Sequence, residues 1–164
     1  MLVRPAQPSD VRRLAKIWYE GWLDGHSGHT PAELEAARTE ASFQQRAVDR
    51  LSEAFVAEVD GTVVGFFILV DTELEQFYVD RGSRGQGVAA GLMDAVEAEA
   101  TRRGHRSVWL AVAARNLRAR KFYGRAGWID DGPFVYDARV GAGSVSVPCH
   151  RFVRQLADRA AGDS

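Results

Sequence analysis

Cysteine is nearly absent from this 164-residue chain, which contains only Cys149. A single cysteine cannot form a disulfide within the chain, and it excludes a metal site built from cysteines. An excess of one charge is also lacking, because 21 basic and 22 acidic residues give a net charge of −1. This balance argues against general binding to nucleic acid or to a membrane surface.

Long apolar runs are missing as well. The sequence has no segment typical of a signal peptide and no run of membrane-spanning length, so we expect a cytoplasmic protein. With 46% hydrophobic and 26% charged residues, the composition is typical of a soluble globular protein. A chain of this length suits one domain with one core. We place that domain at residues 1–156 and expect residues 157–164 to form a frayed tail.

The hydrophobic pattern switches repeatedly between strand and helix periodicity. Strands are predicted at 2–6, 54–59, 62–70, 73–79, 106–112, 128–140 and 145–156, and helices within 8–25, 31–51, 88–103 and 117–126. Three consecutive strands with short links predict an antiparallel meander. The strand at 73–79, the helix after it and the strand at 106–112 form a βαβ unit. The sequence therefore predicts a mixed α/β single domain with a mostly antiparallel sheet.

The two predicted helices before residue 54 differ in the clarity of their patterns. The first carries a regular apolar stripe of Val11, Leu14, Ile17, Trp18 and Trp22. The second, at 31–51, is weaker, and its pattern places Leu34, Ala37, Ala41 and Val48 toward the core.

A glycine-rich stretch, "RGQGVAAGLM" at 84–93, precedes the third helix and suggests a phosphate site. No lysine closes the loop, so it is not a Walker A motif. Gly85, Gly87 and Ala90 match the dinucleotide pattern G-x-G-x-x-G/A, but five residues, 80–84, separate the preceding strand from the first glycine. No acidic residue ends the next strand to bind a ribose. Arg115 lies there, so binding of a 2′-phosphorylated dinucleotide remains a weaker alternative.

Two segments together resemble the GNAT superfamily of acetyl-CoA-dependent N-acetyltransferases. "EQFYVDRGSRGQGVAAGLM" is similar to the family's cofactor segment, because Arg84, Gly87 and Ala89 fit [RQ]-x-x-G-x-[GA] after a strand. "NLRARKFYGRAGW" at 116–128 resembles the family's N-x-x-A-x-x-x-Y-x-x-x-G-[FW]. The resemblance covers roughly residues 2–130. It implies a GNAT fold, with a central splayed βαβ unit and helices on both faces of a twisted sheet.

The resemblance implies acetyl-CoA as co-substrate and no metal. Its pyrophosphate would lie at the N-terminus of the third helix, and its pantetheine arm would pair with the backbone of strand 73–79. The backbone N–H of Val79 would stabilise the oxyanion. The residues expected to contact acetyl-CoA are Phe77, Tyr78, Val79, Arg84, Gly85, Gln86, Gly87, Val88, Ala89, Ala90, Asn116 and Tyr123. For Asn116 a plain helix cap is an equal interpretation, and the two roles are compatible.

Three residues are candidates for acid–base chemistry. Tyr123 matches the family's tyrosine that protonates the leaving thiolate; without the motif it would be a buried aromatic residue. Glu73 and Glu75 lie two apart on one strand and therefore share a face. We expect Glu73 to be the base, with Glu75 as second choice or as a solvated charge.

The acceptor side is less defined by the sequence. Tyr19 and Trp22 either line an aromatic pocket or pack in the core. His26 and His29 are interpreted as loop or pocket-rim residues, because no third metal ligand is evident. We expect a small-molecule amine as acceptor and a monomer or homodimer. The alternatives are a protein or peptide amine acetyltransferase, which Ala111 disfavours where N-terminal acetyltransferases often carry glutamate, and a non-catalytic acyl-CoA sensor.

Overall fold

A mixed seven-stranded sheet with the order β1-β2-β3-β4-β5-β7-β6 forms the centre of the protein. The computed structural model describes residues 1–26 and 28–157, so the predicted tail lies outside the described residues beyond Ala157. The strands are β1 (Leu2–Pro5), β2 (Ala54–Val59), β3 (Thr62–Val70), β4 (Glu73–Val79), β5 (Ser107–Ala113), β6 (Ile129–Val140) and β7 (Gly143–Gln155). The helices are α1 (Val11–Gly25), α2 (Ala32–Ala37), α3 (Glu40–Asp49), α4 (Val88–Arg102) and α5 (Leu117–Arg125). The prediction of a mixed α/β fold is confirmed.

The sheet separates in its middle, between β4 and β5. These two strands are parallel, and the only residue pair that joins them in the described chain is Glu73 with Trp109. Beyond that pair β4 stays with β3, while β5 continues along β7. The predicted splay of the βαβ unit is therefore present, and it leaves a wedge-shaped opening beside Phe77–Val79.

A β-bulge interrupts β4 just before this opening. Ile68 pairs with Gln76 and the next residue of β3 pairs with Leu74, so Glu75 has no partner on β3. A bulge inserts one residue and breaks the strict alternation of faces. Leu74 and Phe77 consequently both pack on the α4 side of the sheet, although they are three residues apart.

Two apolar layers cover the sheet. On one face α4 and α5 pack around Leu92, Val96 and Trp128, and on the other face α1 and α3 pack around Trp18 and Phe43. The predicted helices on both faces are thus present. Fully buried Trp18 contacts Phe43 edge to face, with ring centroids 5.7 Å apart.

The prediction of one helix at 31–51 is wrong. The chain forms α2 and α3, with a break at Arg38 and Thr39, where Thr39 is extended and its hydroxyl caps α3 by accepting from the Ser42 N–H. The cap restarts the helix in a new register, so Phe43 and Ala47 face the core, while Val48 is 55% exposed.

Candidate active site

The opening between β4 and β5 leads into a cavity of about 770 Å³. Its walls come from the end of α1, the splayed strands, the loop before α4, and α5. Most of the residues that the sequence predicts to contact a cofactor line it, namely Phe77, Tyr78, Val79, Arg84, Gly85, Gly87, Ala89, Asn116 and Tyr123. The remaining three, Gln86, Val88 and Ala90, do not line it, because Val88 is buried in the core and the Gln86 amide donates to the Gly82 carbonyl.

The loop before α4 presents backbone amides to this cavity. Gly85 and Gly87 have φ angles of +76° and +81°, a left-handed conformation that other residues adopt only with strain. Gly87 is the N-cap of α4 and offers no side chain to the first-turn N–H groups. A Cβ at either glycine would meet nothing within 4 Å among the described residues. The free amides and the positive end of the helix dipole therefore form a site suited to a phosphate group.

Arginine side chains at the mouth of the cavity are tied to α1. Arg84 donates to Asp24 at 3.0 Å, and Arg81 donates to the same carboxylate at 2.7 Å. The Arg81 hydrogen bond, followed by that of Arg84, lowers the pKa of Asp24 to about 2. Arg84 thus lines the cavity beside the loop, and its charge is shared with an acidic partner.

The backbone of β4 offers free hydrogen-bonding groups to the cavity. The Asp80 N–H donates to the Val64 carbonyl at 2.8 Å, and the register continues with Val79 opposite Gly65. Hydrogen-bonded and non-hydrogen-bonded pairs alternate along an antiparallel ladder. The N–H and C=O groups of Val79 and Phe77 therefore point away from β3, toward the opening.

Tyr123 projects from α5 into an aromatic cluster on the cavity wall. Its ring lies 5.9 Å from that of Trp128, 6.2 Å from Phe152 and 6.5 Å from Phe77, between centroids. Burial raises the pKa of the Tyr123 phenol above its usual value, which keeps the group protonated at neutral pH. Its hydroxyl forms no hydrogen bond within the described part of the chain. Such a phenol is able to donate its proton to a bound molecule.

Asn116 connects the cavity with the start of α5. Its side-chain oxygen accepts from the Ala119 N–H at 3.1 Å, so it is the helix cap that one interpretation predicts. Asn116 is only 7% exposed and still lines the cavity. A Cβ at Gly25 would lie 3.4 Å from its amide nitrogen. The residue therefore links α5 to the end of α1 beside the opening.

A second cavity, of about 660 Å³, lies on the α1–α3 side of the sheet. Glu73 lines it and accepts a hydrogen bond of 2.6 Å from the Tyr136 hydroxyl. Burial raises the pKa of Glu73, and the Tyr136 hydrogen bond opposes that effect only in part. A carboxylate with a raised pKa is better matched to accept a proton near neutral pH.

Glu75 lies where the two cavities meet. It lines both of them, together with His26, Gln76, Tyr78 and Ala111. Its carboxylate accepts from Arg50 at 3.0 Å, so its charge is balanced by a guanidinium. The bulge at Glu75 allows Glu73, Glu75 and Gln76 to reach the second cavity from one short strand.

Comparison with known proteins identifies the family. The model of the acetyltransferase (GNAT) family matches residues 12–128. The chain belongs to the GNAT acetyltransferase family. An uncharacterised N-acetyltransferase of Mycobacterium tuberculosis is 34% identical over 119 residues, which cover 70% of this chain and 75% of that protein.

Solved structures show the same fold. The GCN5-related N-acetyltransferase from Rhodopseudomonas palustris superposes with a TM-score of 0.73 at 22% identity, over 94% of this chain and 95% of that one. A putative acetyltransferase from Salmonella typhimurium, solved with its cofactor acetyl-CoA, has a TM-score of 0.68 at 20% identity, over 100% of this chain and 98% of that one. The GNAT resemblance of the two sequence segments is confirmed.

The aromatic residues that the sequence suggests for the acceptor side of this GNAT protein are mostly structural. Trp22 is 7% exposed and packs with Phe43 at 6.0 Å between ring centroids, yet it also lines the second cavity. Tyr19 packs against Phe43 at 5.4 Å and lines neither cavity. Of the two, only Trp22 lines a cavity.

Two more residues contribute to this GNAT site: His26, which the sequence suggests as a loop or pocket-rim residue, and Tyr136, which sequence reasoning missed. His26 lines both cavities, and burial, helped by nearby His29 and Arg46, lowers its pKa to about 4, so it is neutral at physiological pH. Its Nδ1 lies 3.5 Å from the Tyr78 hydroxyl. Tyr136 was missed because it is 63 positions from Glu73, and no local pattern relates the two. Within the described ranges no cluster of three metal-ligating side chains occurs, and none of the helices there is long and apolar enough to cross a membrane.

Proposed function

We propose that this GNAT acetyltransferase moves an acetyl group from acetyl-CoA to a primary amine of a small molecule. The observation that carries the proposal is the meeting of two cavities at the splay of β4. One cavity contains the open N-terminus of α4 and Tyr123, and the other contains Glu73. A thioester in the first cavity and an amine in the second would then meet beside Glu75 and Tyr78, which line both.

The first cavity supports binding of a CoA thioester in an extended form. Its diphosphate would accept hydrogen bonds from the amides around Gly85, Gly87 and Ala89. Its amide groups would pair with the outward-facing backbone of Phe77 and Val79, as an added strand does. The Salmonella structure with acetyl-CoA shares this fold, which is consistent with the assignment.

Glu73 is the proposed base. A primary amine is mostly protonated at neutral pH and must lose a proton before it can attack. Glu73, whose pKa is raised by burial, would accept that proton directly or through a water molecule. Glu75 is the second choice, because its carboxylate already accepts from Arg50.

Transfer would proceed by direct attack. The amine nitrogen forms a bond to the carbonyl carbon, and the negative charge that develops on oxygen is stabilised by the Val79 N–H. The carbon–sulfur bond then breaks, and the electron pair leaves on sulfur. The bonded nitrogen would release its second proton to solvent. Tyr123 would donate its phenolic proton to the thiolate and would regain a proton, through solvent, from the base that had accepted the first one.

The release of free thiol from acetyl-CoA, measured over a panel of amines, amino acids and peptides, tests this proposal. Turnover on a small amine supports it, while turnover on peptides alone would favour a protein-directed enzyme. Thermal melting with acetyl-CoA or NADP separates the ligands, because a ligand at 100 times its Kd stabilises a protein by roughly 2.7 kcal/mol. A shift with acetyl-CoA but no turnover on any acceptor would favour a sensor, and a shift with NADP alone would refute acetyl transfer.

A further inference from the structure

Arg46 places an unpaired positive charge in the second cavity, where the acceptor is proposed to bind. Its guanidinium stacks over the Trp18 ring at 4.2 Å and lies 5.2 Å from the Phe43 ring centroid. Its Nη1 is enclosed and has no hydrogen-bond partner in the described chain. Within the described residues no carboxylate lies within 4.0 Å of it. Burial lowers the pKa of Arg46 to about 10, with Arg38 as the next cause, so it remains a cation at neutral pH.

Arg38 adds a second charge to the same cavity. It follows α2, and its Nη2 donates to the Arg139 backbone carbonyl at 2.9 Å. A carbonyl satisfies one N–H group but does not neutralise the charge. Burial lowers the pKa of Arg38 as well. Like charges repel in a site of low polarity, so two unneutralised guanidiniums in one cavity are costly unless an anion joins them.

Four carboxylates and two further arginines also line this cavity, and one of those arginines, Arg139, has no side-chain partner within the described residues. Arg50 binds Glu75 at 3.0 Å, Glu73 accepts from Tyr136, and Asp49 accepts from Gln45 at 2.8 Å. Asp137 accepts from Ser146 at 3.3 Å on the exposed strand β6. Glu73 and Glu75 therefore face the cavity from β4. Arg38, just after α2, and Arg46, on α3, face it with no carboxylate of the described residues within 4.0 Å, although Asp49 of α3 lines the cavity as well.

We infer that the acceptor carries a carboxylate beside its amine, and that Arg38 and Arg46 bind this carboxylate while the amine faces Glu73. The inference rests on the proposed acetyl transfer and narrows its substrate to the chemical class of amino acids. Guanidinium groups match a carboxylate in charge and in the planar geometry of their donors. The same pair of arginines disfavours polyamines, whose second ammonium would meet like charges.

A matched acceptor panel tests the inference. Each of the twenty common amino acids is assayed as the free acid, as its primary amide and as the decarboxylated amine, with thiol release as readout. We expect kcat/KM for the preferred acid to exceed that of its amide by about 10- to 100-fold, the value of hydrogen bonds to charged groups. The amide has the less basic amine, which is more often unprotonated at pH 7.5. A preference for the acid therefore cannot arise from amine basicity.

Arginine variants locate the effect. Arg46→Gln and Arg38→Gln should each reduce kcat/KM for the acid toward that of the amide, and leave the amide itself nearly unchanged. Arg46→Met removes the charge but keeps an apolar side chain packed over Trp18. It therefore distinguishes the loss of the charge from the loss of packing. The matched control is Arg12→Gln, which removes an exposed arginine of α1. It should leave kcat/KM unchanged for both the acid and the amide.

The outcomes separate this inference from the proposed function. Turnover with equal efficiency for acid and amide would overturn the carboxylate site and leave acetyl transfer intact. If no acceptor turns over, the melting temperature is measured in the presence of CoA together with each N-acetylamino acid or its amide. Stabilisation by the acid alone, lost in Arg46→Gln, would support the site while refuting transfer. No stabilisation by any acid would overturn the inference.

Discussion

Replacing Tyr123 with phenylalanine should separate catalysis from folding and cofactor binding. The variant removes one hydroxyl and keeps the ring that contacts Phe77, Trp128 and Phe152 at 5.9–6.5 Å between centroids. Because the hydroxyl has no hydrogen-bond partner in the described structure, its removal leaves no buried group unsatisfied. We therefore expect the free energy of unfolding to change by less than about 1 kcal/mol.

The expected effect on the rate is far larger. A positioned general acid contributes about 10²- to 10⁴-fold. Loss of the phenol should therefore lower kcat by that factor, which raises the barrier by about 3–5 kcal/mol. The pKa of Tyr123 is raised by burial, so wild-type protein holds this proton across the neutral range. Cofactor binding should persist, because phenylalanine fills the same part of the cavity.

Three measurements check this reasoning: steady-state thiol release, the melting temperature with and without acetyl-CoA, and the urea midpoint. A variant with wild-type kcat would remove Tyr123 from the acid role. A variant that loses both turnover and the acetyl-CoA shift would instead assign the hydroxyl to binding.

Other changes should have distinct effects. Glu73→Gln keeps a side chain able to accept from Tyr136, but should lower kcat by about 10²-fold or more and remove the acid limb of the pH–rate profile, where activity falls as Glu73, with its raised pKa, is protonated; an unchanged profile would exclude it as the base. Gly87→Glu should abolish stabilisation by acetyl-CoA, whereas Gly61→Glu, at a similar φ of +77° in a hairpin turn, should keep it; loss in both variants would point to backbone strain. Glu99 has its pKa lowered to about 2 by two neighbouring arginines, so its stabilising effect is present above its unfolded pKa and disappears as the pH falls toward 2. Glu99→Gln should then lower the free energy of unfolding by about 1 kcal/mol at pH 7 and leave it unchanged near pH 2. Urea unfolding that shows the same decrease at both pH values would contradict this.

Local patterns predicted the fold because each element carries its own signal. Pro5 indicated an edge strand, and β1 is at the edge of the sheet. The turn at 60–61 predicted the hairpin between β2 and β3. The prediction of one helix at 31–51 was wrong for a local reason as well. The cap at Thr39 is a weak sequence signal within a segment whose overall composition favours helix.

The site was predictable to different degrees on its two sides. The proposed phosphate site is built on Gly85 and Gly87, which are near each other in the chain and therefore form a recognisable motif. The second cavity joins Arg46, Glu73 and Tyr136, which lie on three separate elements, with Arg38 from the link between α2 and α3. No spacing rule relates such residues, so only the packing of α2, α3 and β6 around β4 brings them together.

The sequence by itself determined the family, the order of strands and helices, and the position of the glycine-rich loop before α4, because hydrophobic periodicity and turn chemistry act over a few residues. The tertiary structure alone decided which charges line the second cavity. Because of the bulge at Glu75, the side chains of Glu73, Glu75 and Gln76 all line the same cavity. The restart of the helix at Thr39 places Arg46 over Trp18. Burial then sets the chemistry, since the same carboxylate or guanidinium in water would keep its ordinary pKa and its own hydration.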